Sequence, residues 1–434
     1  MIKKLMTRPI SGLQGTLTVP GDKSLSHRGL ILGAISQGTT TLHHFLPAAD
    51  CLSTLTALQQ LGVPIMRDGT TVTIIGQGLR GLTQPKQELD MGNAGTATRL
   101  LAGLLAGQSF TTTLVGDASL SQRPMERVRQ PLQAMGAKLQ LTAGHLPMTI
   151  VGQILHGGRT EMQIASAQVK SALILAALQA DQPSTIIEKL PTRDHTERLL
   201  QQFGGQIETA ADQRTITVHP KPVLHGQSLT IPGDFSSAAF FITAATIIPN
   251  SHIRLVNVGL NPTRTGLLTI LQRMGGQVTV DQQQQAGEPV GTIDVAYAQL
   301  QPVRLTAAEI PAVIDELPLV ALLAATADGI TTISGAAELR VKETDRIATI
   351  VTELQKLGVQ ITAQPDGFTI DGRKSWHQPT MPLASHGDHR IGMMMAIAAL
   401  RLAALSELQT AEAVNISYPT FFEDLARLSQ EVPA

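Results

Sequence analysis

With one cysteine, one tryptophan, two tyrosines and nine phenylalanines in 434 residues, this chain lacks two common means of securing a fold. Cys51 alone excludes an intramolecular disulfide framework and suits a reducing compartment. Aromatic residues make up 3% of the chain, which removes most platforms for stacking nucleobases. The 33 basic and 34 acidic residues leave a net charge of −1, so no general polyanion-binding surface is expected. Long hydrophobic runs are missing as well. The longest, such as Ile391 to Leu400 before Arg401, are too short to span a bilayer. Met1-Ile2-Lys3-Lys4 starts like a leader, but Thr7-Arg8-Pro9 follows in place of an apolar stretch. The expectation is a cytoplasmic protein with no nucleic-acid partner and no membrane association.

What is present is aliphatic and repetitive. Hydrophobic residues reach 43%, so the cores must be built from Ala, Leu, Ile and Val. The length calls for two domains of roughly 200 residues each. Six Ala-rich helical stretches follow short polar lead-ins: Gly21-Asp22-Lys23-Ser24, Gly92-Asn93-Ala94-Gly95-Thr96, Ser166-Ala167-Gln168-Val169-Lys170, Gly233-Asp234-Phe235-Ser236, Ile314-Asp315-Glu316-Leu317 and Gly387-Asp388-His389-Arg390. Such segments cap helix N-termini, where free N–H groups and the positive dipole end favour anions. If several converge, they make a site for a multiply charged anion. Second helices end on glycines 62, 136, 204, 275 and 358, as expected of left-handed C-caps. One unit therefore spans roughly 70–80 residues and reads helix, strand, helix, strand. A coarser echo joins Thr18–Ser24 to Thr230–Ser236, with five identities in seven positions. It marks two crossings between similar halves, one spanning 21–234 and the other 1–20 with 235–434.

Any anion site must come from local placement of cations. Lys23 and Arg28 flank the first helix start, Arg123 precedes Pro124, and Arg193 sits in Thr192-Arg193-Asp194-His195. Lys342 and Arg346 bracket Glu343, and Arg390 closes the last lead-in. Taken singly, each is a solvated surface charge or an i,i+4 partner. Their recurrence at equivalent ends of repeated units favours function. Asp315 and Glu316 interrupt the apolar stretch 310–325, where a charge is costly unless paired or capping a helix. Asp315 and Glu343 could divide acid and base roles. Gly76-Gln77-Gly78-Leu79-Arg80-Gly81 formally matches a dinucleotide fingerprint, but Leu82-Thr83-Gln84-Pro85 is a turn where a helix is required. No zinc-type ligand set surrounds His386 and His389, so no metal is expected.

Gly21–Arg28, Gly92–Thr96, Arg123-Pro124-Met125, Ser166-Ala167-Gln168, Arg340–Arg346 and Gly387–Arg390 together resemble the EPSP synthase family, in that family's order, from Pro20 to Phe422. The resemblance implies two inside-out α/β barrel domains of three βαβαββ-type units each, with helices inside and sheets outside. It implies transfer of the enolpyruvyl group of phosphoenolpyruvate to the 5-hydroxyl of shikimate 3-phosphate, with no cofactor, in a monomer whose partners are these two small molecules. By resemblance, Lys23, Ser24, Arg28, Ser166, Ala167, Gln168, Arg193, Asp315 and Lys342 hold shikimate 3-phosphate. Lys23, Asn93, Gly95, Arg123, Gln168, Arg346 and Arg390 hold phosphoenolpyruvate. Asp315 and Glu343, helped by Lys23, carry protons. Many members have a lysine just before the terminal Tyr/Phe-Pro segment, whereas here Val414-Asn415-Ile416-Ser417-Tyr418-Pro419 has none. The rival UDP-N-acetylglucosamine enolpyruvyl transferases generally use a cysteine, occasionally an aspartate, in a loop near the Arg123 region; Cys51 is far from it in the chain, and Asp117 lacks that loop's surroundings. A non-catalytic anion-binding relative is the other alternative, and intact Lys23, Asp315 and Glu343 speak against it. Four segments, at 21–24, 166–170, 193–197 and 261–264, resemble the glyphosate-tolerant members, which implies weak inhibition by glyphosate.

Overall fold

The computed structural model describes residues 2–5, 12–283, 287–402 and 404–429; Thr7-Arg8-Pro9 lies outside them. The chain divides into two compact units, Gly21–Ile231 and Met1–Pro20 with Pro232–Ala434. The first unit contains α1 (Lys23–Ile35), α2 (Ala49–Gln60), α3 (Gly95–Ala106), α4 (Glu126–Ala134), α5 (Ala167–Ala177) and α6 (His195–Gln202). The second contains α7 (Phe235–Ile247), α8 (Gly266–Arg273), α9 (Leu317–Ala324), α10 (Arg346–Gln355), α11 (His389–Ala399) and α12 (Phe421–Leu428).

In each unit three helices are buried nearly all round: α1, α3 and α5 in one, and α7, α9 and α11 in the other. A helix apolar on every face has to lie inside its domain. Small side chains bring such helices close together. The Gly103 position, for example, leaves no room for a Cβ beside the Ala172 carbonyl. The even-numbered helices bury one stripe and lie nearer solvent. Six sheets, among the described residues, cover the two helical cores.

One repeat shows the pattern. Leu89–Asp90 leads into α3 and pairs in parallel with Thr111–Val115, which pairs antiparallel with His145–Val151, itself paired with Lys138–Thr142. This is a β-α-β-α-β-β unit. The predicted exits are uniform: Gly62, Gly136, Gly204, Gly275 and Gly358 all have φ between +81° and +90°, where only glycine is free of Cβ strain. Gln59, Gln201 and Gln355 each donate from Nε2 to the carbonyl six residues on, at 2.9, 3.0 and 3.0 Å.

The two crossings exchange edge strands. Gln14–Leu17 precedes α1 in sequence but pairs with His252–Gly259 of the second unit. Ser228–Thr230 precedes α7 but pairs with Gln37–His43 of the first. The second crossing falls at Pro232, three residues before the expected boundary. Gly233 donates to the Asn257 carbonyl at 2.7 Å and Asp234 to the Pro20 carbonyl at 2.9 Å, which ties both to the second unit.

Candidate active site

In the first unit the lead-ins behave as their composition requires. Asp22 caps α1 by accepting from Leu25 N at 2.8 Å, and Ser166 caps α5 by accepting from Val169 N at 3.4 Å. The Gly92–Thr96 turn gives α3 no side-chain cap. Its glycine has a different use: a Cβ at Gly95 would lie 2.9 Å from Arg123 Nη1 and 3.2 Å from Arg99 Nη1. Two guanidinium groups thus pass over a bare helix start.

Arg123 donates from Nη2 to Asn93 Oδ1. Arg99 donates from Nη1 to Gln168 Oε1 at 2.5 Å, and Gln168 donates to Thr96 Oγ1 at 3.0 Å. The structure therefore brings Asn93, Gly95, Arg123 and Gln168 together. A second group forms around Arg28, which donates to Thr196 Oγ1 (2.7 Å), Ser24 O (3.0 Å) and Ser171 Oγ (2.8 Å). Lys23, in the first turn of α1, reaches Asp50 Oδ2 on α2 at 3.0 Å. Ala167 opens α5, and Arg193 lies in the loop between Ser184–Ile187 and α6.

Thr192, the residue before Arg193, joins a buried ion cluster. Lys170 Nζ, 1% exposed, lies 3.1 Å from Glu188 Oε2 and 2.7 Å from Glu197 Oε1. It also donates to the Thr192 carbonyl at 3.2 Å, while the Thr192 hydroxyl donates to Glu188. Burial alone would lower the lysine pKa, but Glu197 and Glu188 outweigh it and raise it. Burial raises the Glu188 carboxyl, against the pull of Lys170.

In the second unit the functional candidates gather on Arg346, whose side chain is 1% exposed. Its Nε donates to Asp388 Oδ2 at 2.7 Å and its Nη2 to Asp388 Oδ1 at 3.2 Å and Glu343 Oε2 at 2.6 Å. Its Nη1 lies 3.7 Å from Asp315 Oδ1. The two carboxylates expected to move protons thus share one guanidinium. Burial opposes the charge on Arg346, yet Asp388, Glu343 and Asp315 raise its pKa further. Asp315 also faces Lys342 Nζ at 3.5 Å and Arg390 Nη2 at 3.7 Å.

Asp315 does not cap α9. The N-cap residue is Glu316, and its side chain makes no capping bond. Glu316 is instead wholly buried, accepting from Ser236 Oγ and lying 3.5 Å from Arg390 Nη1. Arg264 holds this corner by donating to Ser236 Oγ at 2.7 Å and Asp234 Oδ1 at 3.2 Å. The segment lacking a lysine forms a short turn, and the Tyr418 hydroxyl behind it donates to Asp424 Oδ2 at 2.9 Å.

Sequence reasoning missed Arg99, Lys170, Glu188 and Asp388 as site-supporting residues. Lys170 inside an apolar helix was the available signal, because a buried cation requires an acceptor.

His27, buried on α1 and hydrogen-bonded through Nδ1 to Thr54 Oγ1 at 2.7 Å, gives a pH prediction. Burial lowers its pKa well below the usual value, aided by Lys23 and Arg28. The unfolded chain therefore binds a proton near pH 6.5 that the folded chain refuses, and stability falls as pH drops below that value. Urea midpoints should fall more between pH 7.5 and 5.5 in the wild type than in His27→Gln. Parallel declines in the two proteins would show that His27 contributes nothing to the acid branch.

Residues 7–425 match the family model for EPSP synthase (3-phosphoshikimate 1-carboxyvinyltransferase). A Lactiplantibacillus plantarum protein named 3-phosphoshikimate 1-carboxyvinyltransferase is 86% identical over 432 residues, covering 100% of each chain. A Limosilactobacillus fermentum protein of the same name is 54% identical, with 99% of each chain covered. The solved EPSP synthase of Acinetobacter baumannii superposes with a TM-score of 0.86 at 40% identity, covering 99% of this chain and 98% of that one. With near-complete coverage by sequence and by structure, the chain belongs to the EPSP synthase (3-phosphoshikimate 1-carboxyvinyltransferase) family.

Proposed function

We propose that this protein is a 3-phosphoshikimate 1-carboxyvinyltransferase of the shikimate pathway. It moves the enolpyruvyl group of phosphoenolpyruvate to the 5-hydroxyl of shikimate 3-phosphate and releases phosphate. The observation that carries this reading is the pair Asp315 and Glu343 held on one arginine, in a chain 86% identical to a protein of that name. Each substrate bears a carboxylate and a phosphate, which fixed guanidinium groups bind in bidentate fashion.

Shikimate 3-phosphate is assigned to Lys23, Ser24, Arg28, Ser166, Ala167, Gln168, Arg193, Asp315 and Lys342. Phosphoenolpyruvate is assigned to Lys23, Asn93, Gly95, Arg123, Gln168, Arg346 and Arg390. The hydroxyl loses its proton as its oxygen attacks C2 of phosphoenolpyruvate, and C3 gains one, giving a tetrahedral intermediate. Loss of a C3 proton and departure of phosphate then restore the double bond. Asp315 and Glu343, with Lys23, carry these protons. The units Gly21–Ile231 and Met1–Pro20 with Pro232–Ala434 are its two enolpyruvyl-transferase domains, and it acts as a cytoplasmic monomer on small molecules without a cofactor. A coupled phosphate-release assay with both substrates tests the reading; no phosphate release above either single-substrate control would overturn it.

Weak inhibition by glyphosate belongs to the same reading. Gly95 leaves its pocket unnarrowed, so tolerance must come from elsewhere, through buried Leu100 on α3 or the cation missing near Asn415. Half-inhibition at low micromolar glyphosate, with phosphoenolpyruvate near its KM, would overturn it.

A further inference from the structure

Asp117 follows the strand Thr111–Val115 and fastens two segments at once. Its backbone N–H donates to the Gly92 carbonyl at 2.9 Å, and its carbonyl accepts from Ser121 N at 2.9 Å. Its Oδ1 accepts from Leu120 N at 2.7 Å, and its Oδ2 accepts from Asn93 Nδ2 at 2.8 Å. The other end of the Asn93 amide, Oδ1, accepts from Arg123 Nη2. The close approach depends on Gly116, where a Cβ would lie 2.6 Å from Leu120 Cδ2 and 3.0 Å from the Gly92 carbonyl oxygen.

The chemistry of this chain is directional. An asparagine amide has one donor end and one acceptor end, a carboxylate only accepts, and a guanidinium only donates. Asp117 and Arg123 therefore demand the same orientation of Asn93, with its NH2 toward the carboxylate and its oxygen toward the guanidinium. Without the carboxylate, nothing on that side opposes a turned amide, which would set NH2 against the Arg123 cation.

We infer that Asp117 is a positioning residue for the donor substrate, acting through the Asn93 amide to hold Arg123 over the start of α3 at Gly95. The inference rests on the proposed reaction, in which Arg123 binds phosphoenolpyruvate. Asp117 is assigned to neither substrate and contributes by fixing one rotamer of its neighbour.

Asp117→Asn is the most telling variant because it preserves shape. Its single acceptor oxygen can serve either Leu120 N or the Asn93 amide, so one of the two bonds is lost whichever way it turns. The KM for phosphoenolpyruvate should rise about tenfold or more in Asp117→Asn and Asp117→Ala. The KM for shikimate 3-phosphate should stay within about twofold and the melting temperature close to that of the wild type. A merely structural residue would move both KM values together as the melting temperature falls, and that result overturns the inference. So does a phosphoenolpyruvate KM within twofold of wild type in both folded variants. Wild-type turnover measured alongside separates failure of the proposed reaction from failure of Asp117's role.

Discussion

Asp315→Ala should lower turnover by about 100-fold or more, the loss expected when a general acid or base is removed. The side chain lies within 3.7 Å of three cations: Lys342, Arg346 and Arg390. Its removal does not strand the two arginines, and Lys342 is partly open to solvent. Arg346 keeps both oxygens of Asp388 and its bond to Glu343, and Arg390 keeps the Asp315 carbonyl at 3.1 Å and the Glu316 carboxylate. The fold should therefore survive, with a circular dichroism spectrum and melting temperature close to wild type. Asp315→Asn, which retains the volume but cannot take up a proton, should be similarly impaired. Turnover within tenfold of wild type in a folded Asp315→Ala protein would remove this residue from the mechanism.

The largest stability effect is expected at Lys170. Replacing it with Met leaves Glu188 and Glu197 buried without their cation, which for a broken buried pair costs about 3–5 kcal/mol. In a unit of this size that corresponds to a melting temperature lower by about 6–20 °C. The loss should be local in origin, because the Thr192 carbonyl also loses its donor. Neutralising the partners in Lys170→Met, Glu188→Gln, Glu197→Gln should recover much of the stability, since the penalty lies in uncompensated charge rather than missing volume. A single Lys170→Met variant that melts within 2 °C of wild type would show that solvent or rearrangement already satisfies the two carboxylates.

Short-range chemistry was legible from residue order. Asp22, Ser166, Asp234 and Asp388 each cap the helix that follows them, because a side-chain oxygen two or three residues ahead of a free N–H is a local arrangement. The C-cap glycines could be read for the same reason. Asp315 marks the limit of such reading. It sits where a cap belongs, yet three cations from elsewhere in the chain draw its carboxylate away from the α9 amides.

The sequence by itself determined the repeated units, the alternation of Ala-rich helices with second helices ending on glycine, and the kinds of charge placed at the helix starts. These follow from periodicity, capping and backbone freedom, which act over a few residues. Tertiary structure alone decided the pairings. Arg28 meets Thr196 across 168 positions, Arg99 meets Gln168 across 69, and Ser236 meets Glu316 across 80. It also decided the edge strands, since Gln14–Leu17 and Ser228–Thr230 each pair in the unit opposite to the helix they precede. A buried charge must find a partner, but its own neighbours in sequence do not say which one. Packing of the helices settles that choice, by bringing some acceptors within hydrogen-bond reach and leaving the rest outside it.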